Sequence, residues 1–427
     1  MKRFCRLLCC LLWCVTVAAR GSADEARQAI IECMFELPEL SLAALEPKGA
    51  PAFDFVQAER NGLHRTNLPS FGSGLDISAT GEWFGLTDRG PNAELVGPDG
   101  RTRRVLPLPQ FAPGIAVLRT NRGTLQFVRY IPLRDAAGRP LTGLGNSNAD
   151  EPGFASATAP ESLAPDPGGL DPEGLRCLPD GGFLVSDEYA PSVARVDSNG
   201  RVVWRLVPKG HNLAAAPYPV RAILPAAVRA RRDNRGFENL ALSGDARLAY
   251  LALQSPAVPE NHPRSRSSRI VRVVEVDLSD RDQPCVTGHF LARMGSVAEH
   301  PGTKSQAVLK WNDAVWLGPR RLLVLEQGRT SAVLREIDLT LATNLLGHAR
   351  EDDPQLDAED PGALAGLNVA ESRLIARIDE VSRQGGHKLE GLCALGAGRY
   401  AVANDNDFGI GENAAGIPTR IWIVRLP

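Results

Sequence analysis

One motif recurs five times along this 427-residue chain, and it constrains the fold more than any other feature. Each copy holds a small or acidic residue, an apolar run, a glycine-bearing turn, a second apolar run and a closing polar group. The copies extend from Ser73 to Asp88, Glu173 to Asp187, Glu238 to Gln254, Asp313 to Glu326 and Glu390 to Asp405. Asp180-Gly181-Gly182, Gly244-Asp245, Gly318-Pro319 and Gly396-Ala397-Gly398 sit midway between paired runs, the turn chemistry of β-hairpins. The openings lie 65 to 100 residues apart. A bare propeller blade takes roughly 40 to 50 residues, so each blade carries an insertion. The widest gap has room for a further copy, Gly114 to Val128. The expectation is an all-β β-propeller of six blades, with loop and short helical insertions.

The insertions show as shifts in composition. Asn146 to Gly169 and Ser255 to Ser268 read as surface loops, rich in Asn, Pro, Gly, Ser and Arg. Thr340 to Arg383 spaces Leu341, Leu345, Leu374, Ile375 and Ile378 as a helix would, around an acidic, proline-bearing middle, and is expected to be helical at both ends. The last apolar run, Arg420 to Val424, is expected to pair with a strand around Cys33 to Leu37 and so remove the open edges of the ring.

Residues 1–23 are read as a secretory signal: Lys2, Arg3 and Arg6 flank an apolar run from Leu7 to Ala19, and Gly21, Ser22 and Ala23 follow. That run is too short for a bilayer span, which needs about 20 apolar residues, and no later run is longer. Bulky Trp13 before Cys14 argues against lipidation there. The expected protein is therefore periplasmic or secreted, with residues 24–427 forming one domain and the chain acting as a monomer. A formal net charge of −2 supplies no basic field, which excludes nucleic acid as a natural partner. Beyond the signal, Cys33, Cys177, Cys285 and Cys393 allow three pairings, with buried free thiols as the alternative for Cys177 and Cys393.

An antiparallel hairpin begins and ends at one rim, and the closing residue follows the opening one by 13 to 16 positions in every copy. Glu173 is thus expected to face Asp187, Glu238 to face Gln254, Asp313 to face Glu326, Glu390 to face Asp405 and Ser73 to face Asp88. Blades around one axis gather these groups at one mouth. Such a ring needs cations, because neighbouring carboxylates oppose one another's ionisation. A hard ion such as Ca²⁺ suits oxygen ligands, and Asn404-Asp405-Asn406-Asp407-Phe408-Gly409 is the densest ligand run. Internal pairing is the competing reading, since Arg235, Lys310, Lys388 and Arg89 lie beside the acids. HExxH, Gly-x-Ser-x-Gly and GxxxxGK are all missing, which removes zincins, α/β-hydrolases and P-loop enzymes. Ser73 and Ser186 have no base nearby in sequence, and of the scattered histidines His387 stands closest to the rim.

At these residues the chain resembles the phytase-like, esterase-like secreted family. The resemblance rests on Leu170-Asp171-Pro172-Glu173-Gly174-Leu175 followed by Val185-Ser186-Asp187-Glu188-Tyr189, and on Thr87-Asp88-Arg89-Gly90-Pro91, Arg235-Gly236-Phe237-Glu238, Lys388-Leu389-Glu390-Gly391 and Asn404 to Gly409. It implies a calcium-supported propeller acting on a small anionic or ester substrate, a phosphoester or a carboxylic ester. Calcium ligands are then expected from Asp88, Asp187, Glu188, Glu326, Asp405 and Asp407, with Glu173 and Glu390 turned to the same ion. Glu173, Glu238, Glu390 and His387 are the expected catalytic groups, and Arg89, Arg235, Lys388 and Tyr189 the expected substrate contacts. The alternative is a non-catalytic ligand- or protein-binding propeller with structural calcium. No Asp-Asp-Pro-Ala run of the alkaline phytases occurs, so the resemblance does not extend to phytate as substrate.

Overall fold

Five short strands stand side by side around a central axis: Gly74–Ile77, Pro172–Cys177, Phe237–Leu242, Lys310–Gly318 and Leu389–Gly396. Each packs on the next, and the last packs on the first, so the ring is closed. The computed structural model describes residues 27–427 apart from 39, 48–51, 147–150, 260 and 411–415. The expected signal segment lies outside the described residues.

From each inner strand three further strands run outward, and in the second blade a fourth, Val220–Leu224, adds in parallel at the outer edge. The first blade continues through Trp83–Leu86, Gly114–Asn121 and Thr124–Pro132, and the second through Phe183–Asp187, Ser192–Val196 and Val202–Pro208. Leu248–Leu253, Ile270–Asp277 and Cys285–Arg293 complete the third, and Arg321–Gln327, Ala332–Asp338 and Ala370–Arg377 the fourth. Arg399–Asn404, Arg420–Arg425 and Ile30–Glu36 form the fifth.

The described residues therefore build five blades, and the expectation of a sixth is corrected. Gly114–Asn121 pairs with Trp83–Leu86, placing Ala116 opposite Gly85, so the extra hairpin is the outer half of the first blade. Apolar alternation marks a hairpin without saying how far it lies from the axis. Leu374 and Ile375 are likewise in the outer strand of the fourth blade rather than in a helix, where Leu374 opposes Arg335. Short apolar runs satisfy both periods, and a free sheet edge decides between them. The helical part of that insertion is Pro354–Asp357, Pro361–Leu364 and Asp379–Gln384.

The ring closes as expected from the sequence, with Ile30–Glu36 antiparallel to the last strand, Cys33 opposite Ile423 and Phe35 opposite Ile421. Its inner wall is tight. A Cβ on Gly174 would stand 2.6 Å from Glu238 O, and one on Gly391 2.7 Å from Leu75 Cβ, which explains the small residues there. In the third and fourth blades amides bridge instead: Asn239 Nδ2 donates to Trp311 O at 2.7 Å and Asn312 Nδ2 to Leu389 O at 2.6 Å. Between blades the faces are apolar, Phe84 meeting Phe183 edge-on at 5.1 Å while Leu334, Val402 and Trp422 fill the fourth-to-fifth gap. Among the described residues Cys33, Cys177, Cys285 and Cys393 are free thiols, and Cys177 and Cys393 flank Asp76, which accepts from the Cys177 N–H at 2.7 Å and the Cys393 thiol at 3.4 Å.

Candidate functional site

A bulge at the start of four inner strands sets the chemistry of the mouth. Pairing skips Glu173 in the second blade, Glu238 in the third, Asn312 in the fourth and Glu390 in the fifth. A bulge leaves its extra residue out of the ladder and re-aims its side chain. Closing residues form a second row, Asp88, Glu188, Gln254, Gln327 and Asp405, with the N–H of Glu188 bonding Asp171 O and that of Asp405 bonding Lys388 O.

The bulges also displace the expected partners by one residue, which turns a side chain to the opposite face of its strand. Asp187 lies opposite Pro172 and Glu326 opposite Trp311, so neither faces the acid assigned to it. Asp187 is enclosed by Arg205 at 2.5 Å, Ser192 at 3.1 Å and the N–H groups of Asp171 and Ala190 at 2.7 and 3.2 Å. Glu326 is held by Arg335 at 2.6 Å and by His300, Trp311 Nε1 and the Gly295 N–H at 2.8 to 2.9 Å. Asp313 accepts from Arg176 at 2.8 Å and from the Leu392 N–H at 2.9 Å. These acids belong to buried structural networks away from the mouth.

What the structure brings together is different and denser. Oxygens of Glu173, Glu188 and Glu238 lie within 4.8 Å of one another, and Asp88, Asp171 and Glu173 form a second group on the same terms, all buried. Arg89 bridges to Asp171 at 2.5 Å and to Glu188 at 3.4 Å, with its guanidinium over the Tyr189 ring. Among the described residues neither Glu173 nor Glu238 has an ion pair, and Glu188 Oε1 and Glu238 Oε2 are buried without a hydrogen-bond partner. Burial, reinforced by Asp171, Glu390, Glu188 and Glu238, pushes Glu173 well above the usual carboxylate range. Burial raises Glu238 too, against Lys310. Asp171, next to the axis, was quoted in the family motif but given no role. Its signal in sequence is its place two residues before a ring acid.

On the fifth blade Lys388 binds Asp405 and Asp407, and Glu390 at 3.5 Å. Burial pushes Asp405 up, but Lys388, the Ser70 hydroxyl and the Asp407 N–H outweigh it and hold the group at about 2. Burial wins at Glu390, which is pushed up to about 8 despite Lys388. The expected metal loop is largely committed to itself: Asn404 Oδ1 accepts from the Arg420 N–H at 2.7 Å, and Asn406 Oδ1 from the Phe408 N–H at 3.0 Å. His387, Asp407 and Phe408 all have positive φ, so this rim holds strained backbone.

Of the remaining expected residues, Tyr189 is buried and donates to Gly143 O at 2.8 Å. Arg235 acts electrostatically on Glu188 and Glu238. His387, with Nδ1 3.4 Å from Ser382 Oγ, lines a cavity of about 1100 Å³ that opens over the fourth and fifth blades and takes in Lys310, Asn312, Gln327, Lys388 and Glu390. Lys310, Asn312 and Gln327 were not singled out as site residues from the sequence.

Fold and site together define an all-β, propeller-like protein whose axial mouth sets a buried carboxylate cluster beside an open, cation-bearing cavity. The chain belongs to the phytase-like family, described as esterase-like activity of phytase, whose model matches residues 69–408. It is 28% identical over 285 residues to an uncharacterized secreted protein of Arthroderma benhamiae, a match covering 57% of this chain and 55% of that one. The chain thus spans about half the length of that relative. Similar solved structures include a calcium-binding protein, regucalcin, from Agrobacterium tumefaciens (8% identity, 84% of this chain and 92% of that one, TM-score 0.34). Another is the PQQ-bound aldose sugar dehydrogenase of Streptomyces coelicolor (11% identity, 84% and 96%, TM-score 0.30). Among the described residues no helix is long and apolar enough to cross a membrane.

Proposed function

We propose that this protein is an exported hydrolase of phosphoesters or carboxylic esters that works with calcium at the axial mouth. One observation carries the reading: Glu173 and Glu238 are buried beside Glu188 without any ion pair among the described residues. Ionising these acids without a partner costs several kcal/mol per ion, so burial keeps protons on them until a cation takes the protons' place. Its donors are all carboxylate oxygens, with neither imidazole nor thiolate among them, which fits a hard ion such as calcium rather than zinc. Glu173, Glu188 and Glu238 would hold it, with Asp88 and Asp171 behind them.

Calcium so bound would supply Lewis acidity toward a phosphoryl or acyl oxygen and toward water. The chain's own groups do the rest. Glu390, pushed up to about 8, keeps a proton on a carboxyl that lines the cavity, as a general acid must near neutrality. Lys388 orients Glu390 from 3.5 Å, and Arg89 fixes Glu188 and Asp171 rather than reaching the substrate. His387 stands at the cavity wall, where it can meet a leaving group.

The test is turnover of p-nitrophenyl phosphate, bis-p-nitrophenyl phosphate and short acyl esters, with calcium and after chelation, in the wild type and a Glu173→Gln, Glu238→Gln double variant. Calcium-dependent turnover that disappears in the variant at unchanged fold is expected. Activity on none of the substrates, with calcium still raising the melting temperature, would leave a binding propeller with structural calcium.

A further inference from the structure

The mouth is lopsided. Asn312 occupies in the fourth blade the bulge position that Glu173, Glu238 and Glu390 occupy elsewhere. Gln327 likewise stands where Glu188 and Asp405 stand, so this blade puts amides at both acidic positions. Just before them Lys310, opposite Gln327, holds the place taken by Asp171 in the second blade and Lys388 in the fifth.

Most cations around the mouth are already committed. Arg89 is bound by Asp171 and Glu188, Lys388 by Glu390, Asp405 and Asp407, and Arg104 by Glu94 and Glu151. The Lys310 ammonium has no hydrogen bond or ion pair among the described residues, and its side chain lines the cavity. Two residues along the same strand, Asn312 is 1% exposed and lines the same cavity. Its Nδ2 donates to Leu389 O, which fixes the amide orientation, and its Oδ1 is buried without a partner. An unpaired buried acceptor carries a desolvation cost until something donates to it.

A ligand that satisfies both must bring an anion to Lys310 and a hydrogen-bond donor to Asn312 Oδ1. A carboxylate has no donor. A singly protonated phosphoryl group has both, an oxyanion and a hydroxyl on one centre. We infer that Lys310 and Asn312 form the subsite for the phosphoryl group of the substrate, which selects phosphate monoesters over carboxylic esters. This rests on the hydrolase reading for the chemistry that follows binding, though not for the binding itself. Lys310 also acts electrostatically on Glu188, Glu238 and Glu390, and it lines the same cavity as Glu390.

Calorimetric titration of the full chain with inorganic phosphate, in saturating calcium, tests the subsite, and a separate calcium titration accompanies each variant. Lys310→Met should weaken phosphate about tenfold or more, the loss of one charge-assisted hydrogen bond, while Lys310→Arg stays within about threefold. Calcium affinity should hold or rise in Lys310→Met, because a neighbouring positive charge has gone. Asn312→Asp, nearly isosteric, should also weaken phosphate and tighten calcium, and it serves if the first variant does not fold. Unchanged phosphate affinity in both variants overturns the subsite, as does a fall in calcium affinity in Lys310→Met. Lys310-dependent phosphate binding without turnover of any ester would remove the hydrolase and keep the subsite, and phosphatase turnover indifferent to Lys310 would do the reverse.

Discussion

At the scale of single residues, the distinction that matters is between acids whose charge is answered inside the chain and acids whose charge is not. Asp187 and Glu326 accept from several donors each, with Arg205 and Arg335 among them. Glu173 and Glu238, one bulge away, accept from none. The contrast separates carboxylates held by the chain's own donors from those proposed to hold calcium. Replacing Arg205 with Met should therefore destabilise the fold by about 3 to 5 kcal/mol, the usual consequence of stranding a buried charge such as Asp187. Chemical denaturation gives that number, and calcium titration of the same variant should show affinity unchanged. A large loss of calcium affinity with little loss of stability would return Asp187 to the ligand set.

At the scale of elements, the bulged hairpin is the unit that makes a site. A regular strand would send Glu173 and its counterparts alternately in and out, whereas the bulge holds them at the axis while the next residue resumes the ladder. The glycine beside the bulge in the second and fifth blades, Gly174 and Gly391, is part of the same device. A Cβ on Gly174 would stand 2.4 Å from Ser186 Oγ and 2.6 Å from Glu238 O, with backbone on one side that cannot yield. Gly174→Ala should then cost about 1 to 3 kcal/mol by overpacking and weaken calcium binding, because it pushes the second and third inner strands apart. Equilibrium unfolding beside calcium titration checks this, and wild-type values for both would mean that the strands are less tightly apposed. The hairpins, their turns and the closing strand were legible in sequence because alternation and Gly-bearing turns are local. The bulges were not, since one inserted residue leaves the apolar count of a short strand almost unchanged.

For the whole molecule, the mouth works as one titrating system. Burial and mutual repulsion raise Asp88, Glu173, Glu188, Glu238 and Glu390, while Lys388 holds Asp405 down. The sign follows from Glu390: unfolded, it loses its proton near 4.5, and folded near 8, so between these values the native state binds more protons and stability falls as pH rises. Metal-free protein should accordingly melt at lower temperature at pH 8 than at pH 5. Calcium bound there as proposed would compete with those protons, so the rise in melting temperature that it produces should grow over the same interval. Scanning calorimetry with and without calcium tests this directly. A metal-free melting temperature that climbs toward pH 8, with a constant calcium increment, would mean that these acids are already ionised and paired.

The sequence alone determined the hairpin repeat, the all-β class, the pairing of the last strand with the first and the acidic character of one rim, since each depends on residues near one another in the chain or on composition. Tertiary structure decided the rest. That Gly114–Asn121 lies outside rather than on the axis, that Asp187 and Glu326 turn into arginine networks, and that Asp171, Lys310 and Asn312 join the mouth all depend on which strand lies beside which. A side chain's face changes with a single-residue shift in register, and register across a bulge is set by packing between blades, which no local pattern encodes.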